Sequence, residues 1–200
     1  MPSPAAGRPA RADARKNQDA LLAAARTVFA RSGVDAPARE IAAEGGVGVG
    51  TLYRNFPTRS DLVAAVFTTE IDATAAAAAE FLATEAPGAA LEHWIARFTR
   101  FVATKQGLSA ALRSGDPAFD ALPGYFAEKL GPAMRSLLDA AEASGDVRPG
   151  VDPLDLLQAV GDLSHRAPSA DGSPNAMVRL LLDGLRTREA DAATQRPASS

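Results

Sequence analysis

No cysteine occurs among the 200 residues, and histidine occurs only twice, at His93 and His165. The first absence removes disulfides, thiolate nucleophiles and cysteine-held metals together. The second leaves a histidine-based metal centre dependent on carboxylates, and no spaced carboxylate-histidine motif is present to supply them, so a helical enzyme is the disfavoured class and no cofactor is expected. No stretch approaches the ~20 apolar residues that a membrane span requires. The alanine-rich run 73–79 is short and weakly apolar, and the N-terminus carries charge without a continuous apolar core, so it does not read as a secretory signal. The expectation is a cytoplasmic chain with no membrane partner. Period-two strand patterns are missing as well. The glycines of 45–50 have neither a preceding strand nor the Lys-Ser/Thr of a nucleotide loop.

What is present is 46% hydrophobic content, enough to bury a full core in one domain or two small ones, and an uneven charge. The net charge is -3, yet residues 1–60 hold nine Lys/Arg against five Asp/Glu, so this part is +4 and the rest is -7. A basic head on an acidic body is the arrangement a nucleic-acid reader shows.

The chain reads as helices throughout. Residues 1–12, with three prolines and two arginines, are expected to be a disordered basic arm. A helix follows over 13–32, with Leu21, Leu22, Ala25, Val28 and Phe29 as its inward stripe and Gly33 as its stop. Pro37 suits a first helical turn, a short helix runs over 39–44, and Gly45-Gly46 supplies a left-handed turn. The next helix, 49–56, spaces Val49, Leu52 and Phe56 by three and four toward a core, leaving Thr51, Tyr53, Arg54 and Asn55 to point elsewhere. Two short helices about a glycine turn, ending in an exposed polar cluster, form a helix-turn-helix pattern. Thr58 should cap a long fourth helix, with Asp61 in its first turn, running to about residue 83.

Beyond it, Pro87-Gly88 reads as a break. Leu91, Trp94, Ile95, Phe98, Phe101 and Val102 then keep helical spacing for three turns. A short helix is expected over 108–113, a loop at 115–117, a helix over 119–144 that is broken near Pro123-Gly124 or kinked near Gly131-Pro132, a helix from Pro153 to His165 capped by Asp152, and a last helix over 175–188. Residues 189–200 read as a disordered tail.

The run Gly46-Val47, then Gly50-Thr51-Leu52-Tyr53-Arg54-Asn55-Phe56-Pro57-Thr58-Arg59, resembles the DNA-binding signature of TetR-family transcriptional regulators. The resemblance covers about twenty-five residues near the N-terminus. It implies an all-α fold, with a helix-turn-helix DNA-binding domain over 13–60 followed by a helical ligand-binding and dimerisation domain over 61–188. It places DNA contacts at Arg39, Val49, Gly50, Thr51, Tyr53, Asn55 and Arg59. To these the side-chain chemistry adds Arg54, which can bond base edges or the backbone, and Thr58, which with Arg59 lies at a helix N-terminus whose free N-H groups suit phosphate. Gly48 stands where many members have serine, so the recognition helix lacks a side-chain cap.

In the body, Trp94, Phe98, Phe101, Tyr125, Phe126 and Met134 read either as core or as the lining of a small-molecule cavity. His93, beside Glu92 and near Arg97, offers a polar set for a ligand or a solvated surface, and His165 a C-terminal cap. The resemblance implies a homodimer joined by a four-helix interface from the last two helices, with Leu154, Leu157, Val160, Gly161, Val178, Leu181, Leu182 and Leu185 facing the partner. The expected partners are a double-stranded DNA operator, a small-molecule effector and a second copy of the chain. The leading reading is a repressor released from a palindromic operator by its ligand; a regulator without an effector is the runner-up.

Overall fold

The computed structural model describes residues 8–103, 115–166 and 173–187. Its helices are α1 Arg8–Ser32, α2 Ala38–Glu44, α3 Val49–Asn55, α4 Arg59–Thr84, α5 Pro87–Ala103, α6 Leu122–Ala143, α7 Pro153–Arg166 and α8 Ala176–Leu185, with one 3-10 turn at Pro117–Phe119. Among the described residues the single β pairing is an isolated antiparallel bridge between Val147 and Arg186. The fold is therefore all-α. The helix expected over 108–113, the tail 189–200 and the side chain of His165 lie outside the described residues.

The chain forms two compact units, one of residues 1–69 with 104–122 and the other of 70–103 with 123–200. The first unit runs through residue 69, nine residues further along α4 than the boundary expected at residue 60. The reason is the apolar face of its first turns: Leu62, Val63, Val66 and Phe67 are buried, and Leu62 lines one small void with Ile41, Leu52 and Phe56. Helix α1 also begins earlier than residue 13, because Pro9 falls in the first turn, where its missing N-H costs no helical bond.

The first unit closes around Leu21, Ala25, Val28 and Phe29 of α1, Ile41 and Ala42 of α2, and Leu52 and Phe56 at α3, all at most 6% exposed. Gly33, with φ of 77°, ends α1. Pro37 sits one position outside α2 with extended backbone, so it precedes the helix rather than opening it. After α2 the backbone makes a Schellman turn: Val47 N-H donates to the Ala42 carbonyl at 2.9 Å and Gly46 N-H to that of Ala43 at 3.1 Å. Gly46, at φ 63°, is the left-handed residue this turn needs, whereas Gly45 is right-handed and is small for another reason. A Cβ there would lie 3.3 Å from Leu21 Cδ2, so α2 approaches α1 closely at that point.

In the second unit α7 packs on α5 and on α8. The core is Trp94, Ile95 and Phe98 of α5, Leu130, Met134, Leu137 and Leu138 of α6, Leu157 and Val160 of α7, and Val178 of α8. Pro87 and Gly88 open α5 instead of breaking the chain, since proline is pre-organised for a first helical position. The Gly88 N-H donates to Asp146 Oδ2 at 3.0 Å, and a Cβ on Gly88 would lie 2.9 Å from that oxygen, so glycine permits this approach. Helix α6 runs unbroken through Pro123, Gly124 and Pro132, the last of which removes one internal donor.

The last helix stops at Leu185, three residues short of expectation. Past it the chain turns extended: Arg148 N-H donates to Leu185 O at 2.9 Å, Thr187 N-H to Asp146 O at 3.1 Å, and Arg186 pairs with Glu92. Helix α4 is long and apolar enough, by length and composition alone, to cross a bilayer, with a window of mean hydropathy 1.4. The sequence reading missed that window, which spreads its apolarity over many alanines. Its larger residues, from Leu62 to Ile71, lie in the cores.

Candidate nucleic-acid interface

Leu52 is 2% exposed and Phe56 4%, and these two anchors fix which way α3 faces. Tyr53, 49% exposed, Arg54 and Asn55 then project from the opposite side. Val49 was expected to complete the inward stripe; it is 38% exposed instead, because α3 is only seven residues long and its first turn overhangs the core. This puts Val49 beside exposed Gly50 on the open surface, with an apolar contact for a thymine methyl available.

Thr51 organises the polar residues. Arg54 Nη2 donates to its hydroxyl at 2.8 Å and Asn55 Nδ2 to its carbonyl at 2.9 Å, so three side chains of the recognition helix are held in one arrangement before any DNA arrives. Gly48 is the N-cap and gives no side-chain bond, as its lack of a hydroxyl dictates. Arg39 on α2 is exposed.

Thr58 caps α4 as expected, whereas Arg59 turns away from the helix end. The Thr58 N-H donates to Asp61 Oδ2 at 3.0 Å while the Thr58 hydroxyl accepts from the Asp61 N-H at 3.0 Å, a reciprocal capping box at the start of α4. The N-H that would have met a phosphate is engaged, and the Asp61 carboxylate occupies the same helix end. Arg59 turns inward, its Nη2 donating to the carbonyls of Val34 and of Ala36, the latter at 2.7 Å. Nothing in the local sequence announces that a backbone stretch more than twenty residues upstream will lie within reach. Nearby, Asp116 accepts from Ser60 and from the Ala118 N-H at 3.0 Å, and these bonds hold its carboxyl below the usual carboxylate range.

In the second unit the candidate ligand residues form one aromatic chain. Trp94 stacks on Phe98 with centroids 5.8 Å apart, and Phe98 meets Phe101 at 6.1 Å and Phe126 at 6.0 Å. Trp94 is fully buried and donates its indole N-H to Thr74 O at 2.8 Å; Met134 is fully buried too. Tyr125 donates to Asp72 Oδ1 at 2.6 Å. Arg97 reaches Ala73 O at 3.3 Å and keeps its Nε buried without a partner among the described residues. The polar set read around Arg97 separates: His93 pairs with Glu85 at 2.6 Å and Glu92 with Arg186.

The dimer candidates divide by burial. Leu157, Val160, Val178 and Leu185 are 7% exposed or less inside their own subunit, which puts them out of a partner's reach. Leu154 stays 45% exposed, and Leu181, Leu182 and Gly161 are intermediate. Two residues outside the candidate set are more open, Met177 at 50% and Leu180 at 64%. Met177, Leu180, Leu181 and Gly184 follow spacing three, four and seven, one outward stripe on α8. The signal was the triplet Leu180-Leu181-Leu182, since three adjacent leucines cannot share one helix face.

Two family descriptions match this chain. Residues 21–66 match "Bacterial regulatory proteins, tetR family" and residues 86–187 match "Transcriptional regulator SbtR-like, C-terminal domain". A search among curated proteins gave no match. Among solved structures, the TetR transcriptional regulator SCO0520 from Streptomyces coelicolor is 34% identical over 86% of this chain and 99% of its own, with a TM-score of 0.71. A TetR transcription regulatory protein from Mycobacterium vanbaalenii is 35% identical over 90% of this chain and 100% of its own, with a TM-score of 0.67. RolR, solved with resorcinol, shares the fold at 21% identity over 94% of this chain and 98% of its own, with a TM-score of 0.57. With a helix-turn-helix head, an all-α body and matches that together span most of its length, the chain belongs to the TetR family of DNA-binding transcriptional regulators.

Proposed function

We propose that the protein is a homodimeric repressor that leaves a roughly palindromic operator when a small molecule binds the α4–α5–α6 region. The observation that carries the DNA half of this reading is the recognition helix α3, which buries Leu52 and Phe56, exposes Tyr53, and holds Arg54 and Asn55 on Thr51. Base edges would be read by Thr51, Tyr53, Arg54 and Asn55 with Val49 and Gly50, and phosphate by Arg39. Two heads reach successive major grooves only at a suitable separation, roughly 34 to 36 Å, so an effector that favours another separation lowers operator affinity by linkage.

For the effector we assign the cluster of Trp94, Phe98, Phe101, Tyr125, Phe126 and Met134, with Arg97 as its polar edge. The unpartnered Arg97 Nε supports this, as does the resorcinol complex of RolR, a small aromatic ligand on the same fold. For the dimer face we assign Leu154 and Gly161 of α7 with Met177, Leu180, Leu181 and Leu182 of α8. Exposed apolar rows of this kind mark interaction surfaces.

The test starts with duplexes selected from a random pool by the purified protein. The selected sequences should be palindromic, and compounds that release them should change the emission of Trp94, the sole tryptophan. Selection of asymmetric sites would overturn the symmetric docking, and releasing compounds that leave Trp94 emission unchanged would move the effector site elsewhere.

A further inference from the structure

We infer that Arg59 is a positioning residue for DNA binding: it clasps the connection between α1 and α2 and so sets how α2 and α3 are presented, rather than contacting phosphate itself. The connection leaves α1 at Gly33, makes a turn in which Ala36 N-H donates to Gly33 O at 3.2 Å, and enters α2 after Pro37. Val34 and Ala36 are 5% and 3% exposed, so this irregular backbone is held against the core with carbonyls that belong to no helix ladder. Such groups need a donor. Arg59 Nη2 supplies both, from the first residue of α4.

The rest of the side chain supports the same role. Arg59 is only partly exposed and borders a void of about 20 Å³ together with Ala38 and Ile41 of α2, Tyr53 and Phe56 at α3, and Leu62 of α4. One side chain therefore bonds the carbonyls of the connection and borders the same void as the start of α2 and the recognition helix. Turning the guanidinium outward to a phosphate would leave two carbonyls without their donor at a site where water has little room. Exposed Arg39 remains to neutralise phosphate.

Arg59→Lys separates the two roles, because lysine keeps the charge but its ammonium lies one bond nearer the backbone and lacks the planar fork. Binding of the full chain to its selected duplex is titrated across salt concentrations. A clasp predicts that Arg59→Lys and Arg59→Ala both lose about tenfold or more in affinity while the slope of log affinity against log salt stays at the wild-type value. Arg39→Ala should lower that slope by about 0.9, the contribution of one phosphate contact. Wild-type affinity in Arg59→Lys, with a slope lowered by about 0.9 in Arg59→Ala, would overturn the proposal. A second measurement needs no variant: side-chain nitrogen NMR of the unaltered protein should show hindered rotation of the Arg59 terminal nitrogens, unchanged when the duplex is added. Free rotation in the DNA-free protein, or loss of the hindrance on DNA, overturns it too.

Discussion

The phenol of Tyr125 donates to Asp72 across 2.6 Å, and ionising it would place two negative charges at that distance. The bond first, then partial burial and the charges of Asp72 and Glu128, push its pKa from 10.0 up to about 12. The bond needs the proton, so the stability it contributes is fully present below about pH 10 and is lost as pH rises toward about 12. Tyrosinate absorbance should show this directly. The wild-type curve should contain a component near pH 12 that Tyr125→Phe removes; a wild-type curve without that component would show that the Asp72 contact is absent in solution. The link was not legible in sequence, because fifty-three positions separate the two residues. The same holds for Arg59, whose acceptors are carbonyls and carry no side-chain signature.

Local chemistry made the elements of the head legible. Gly46, Thr58 with Asp61, and the Leu52 and Phe56 spacing each specify backbone within a few residues, and the structure places all of them accordingly. Helices α7 and α8 were harder, since periodicity reveals an apolar stripe without saying which edge of a broad stripe faces inward. Hence Leu157 and Val178 face inward while Leu180, absent from the candidate interface, is the most exposed large apolar residue among those described. One weak element can be strengthened. Gly48 caps α3 with φ of -75° and open space around a would-be Cβ, so Gly48→Ser fits without strain and adds a side-chain acceptor for a first-turn N-H. The expected gain is small, about 0.3 kcal/mol, because glycine is itself a tolerable cap. Denaturant titration should move its midpoint upward with the slope unchanged; a lower midpoint would show that α3 starts elsewhere.

Pairing should add to the stability of the whole molecule. Leu154, Met177 and Leu180 are each at least 45% exposed in the isolated subunit, a burden that association would relieve. Dimerisation linked to folding makes the melting temperature rise with protein concentration. Leu180→Glu places a carboxylate at the centre of the stripe and should abolish that dependence, shift sedimentation to the monomer, and weaken operator binding while leaving the reading residues untouched. A variant that melts like wild type at every concentration and still sediments as a dimer would remove α8 from the interface. The charge division, +4 over residues 1–60 and -7 beyond, puts the basic excess in the part of the sequence that carries the recognition helix.

The extended pairing after α8 bears on how this protein can be put to use. Arg186 and Thr187 are stitched to the 145–148 turn, whose Asp146 also accepts from the first turn of α5. Reporter domains or affinity tags should therefore be joined after Thr187. A splice placed even two residues earlier would cut the stitch, free the end of α8 and loosen the helix to which the sensing half of any engineered switch would be anchored.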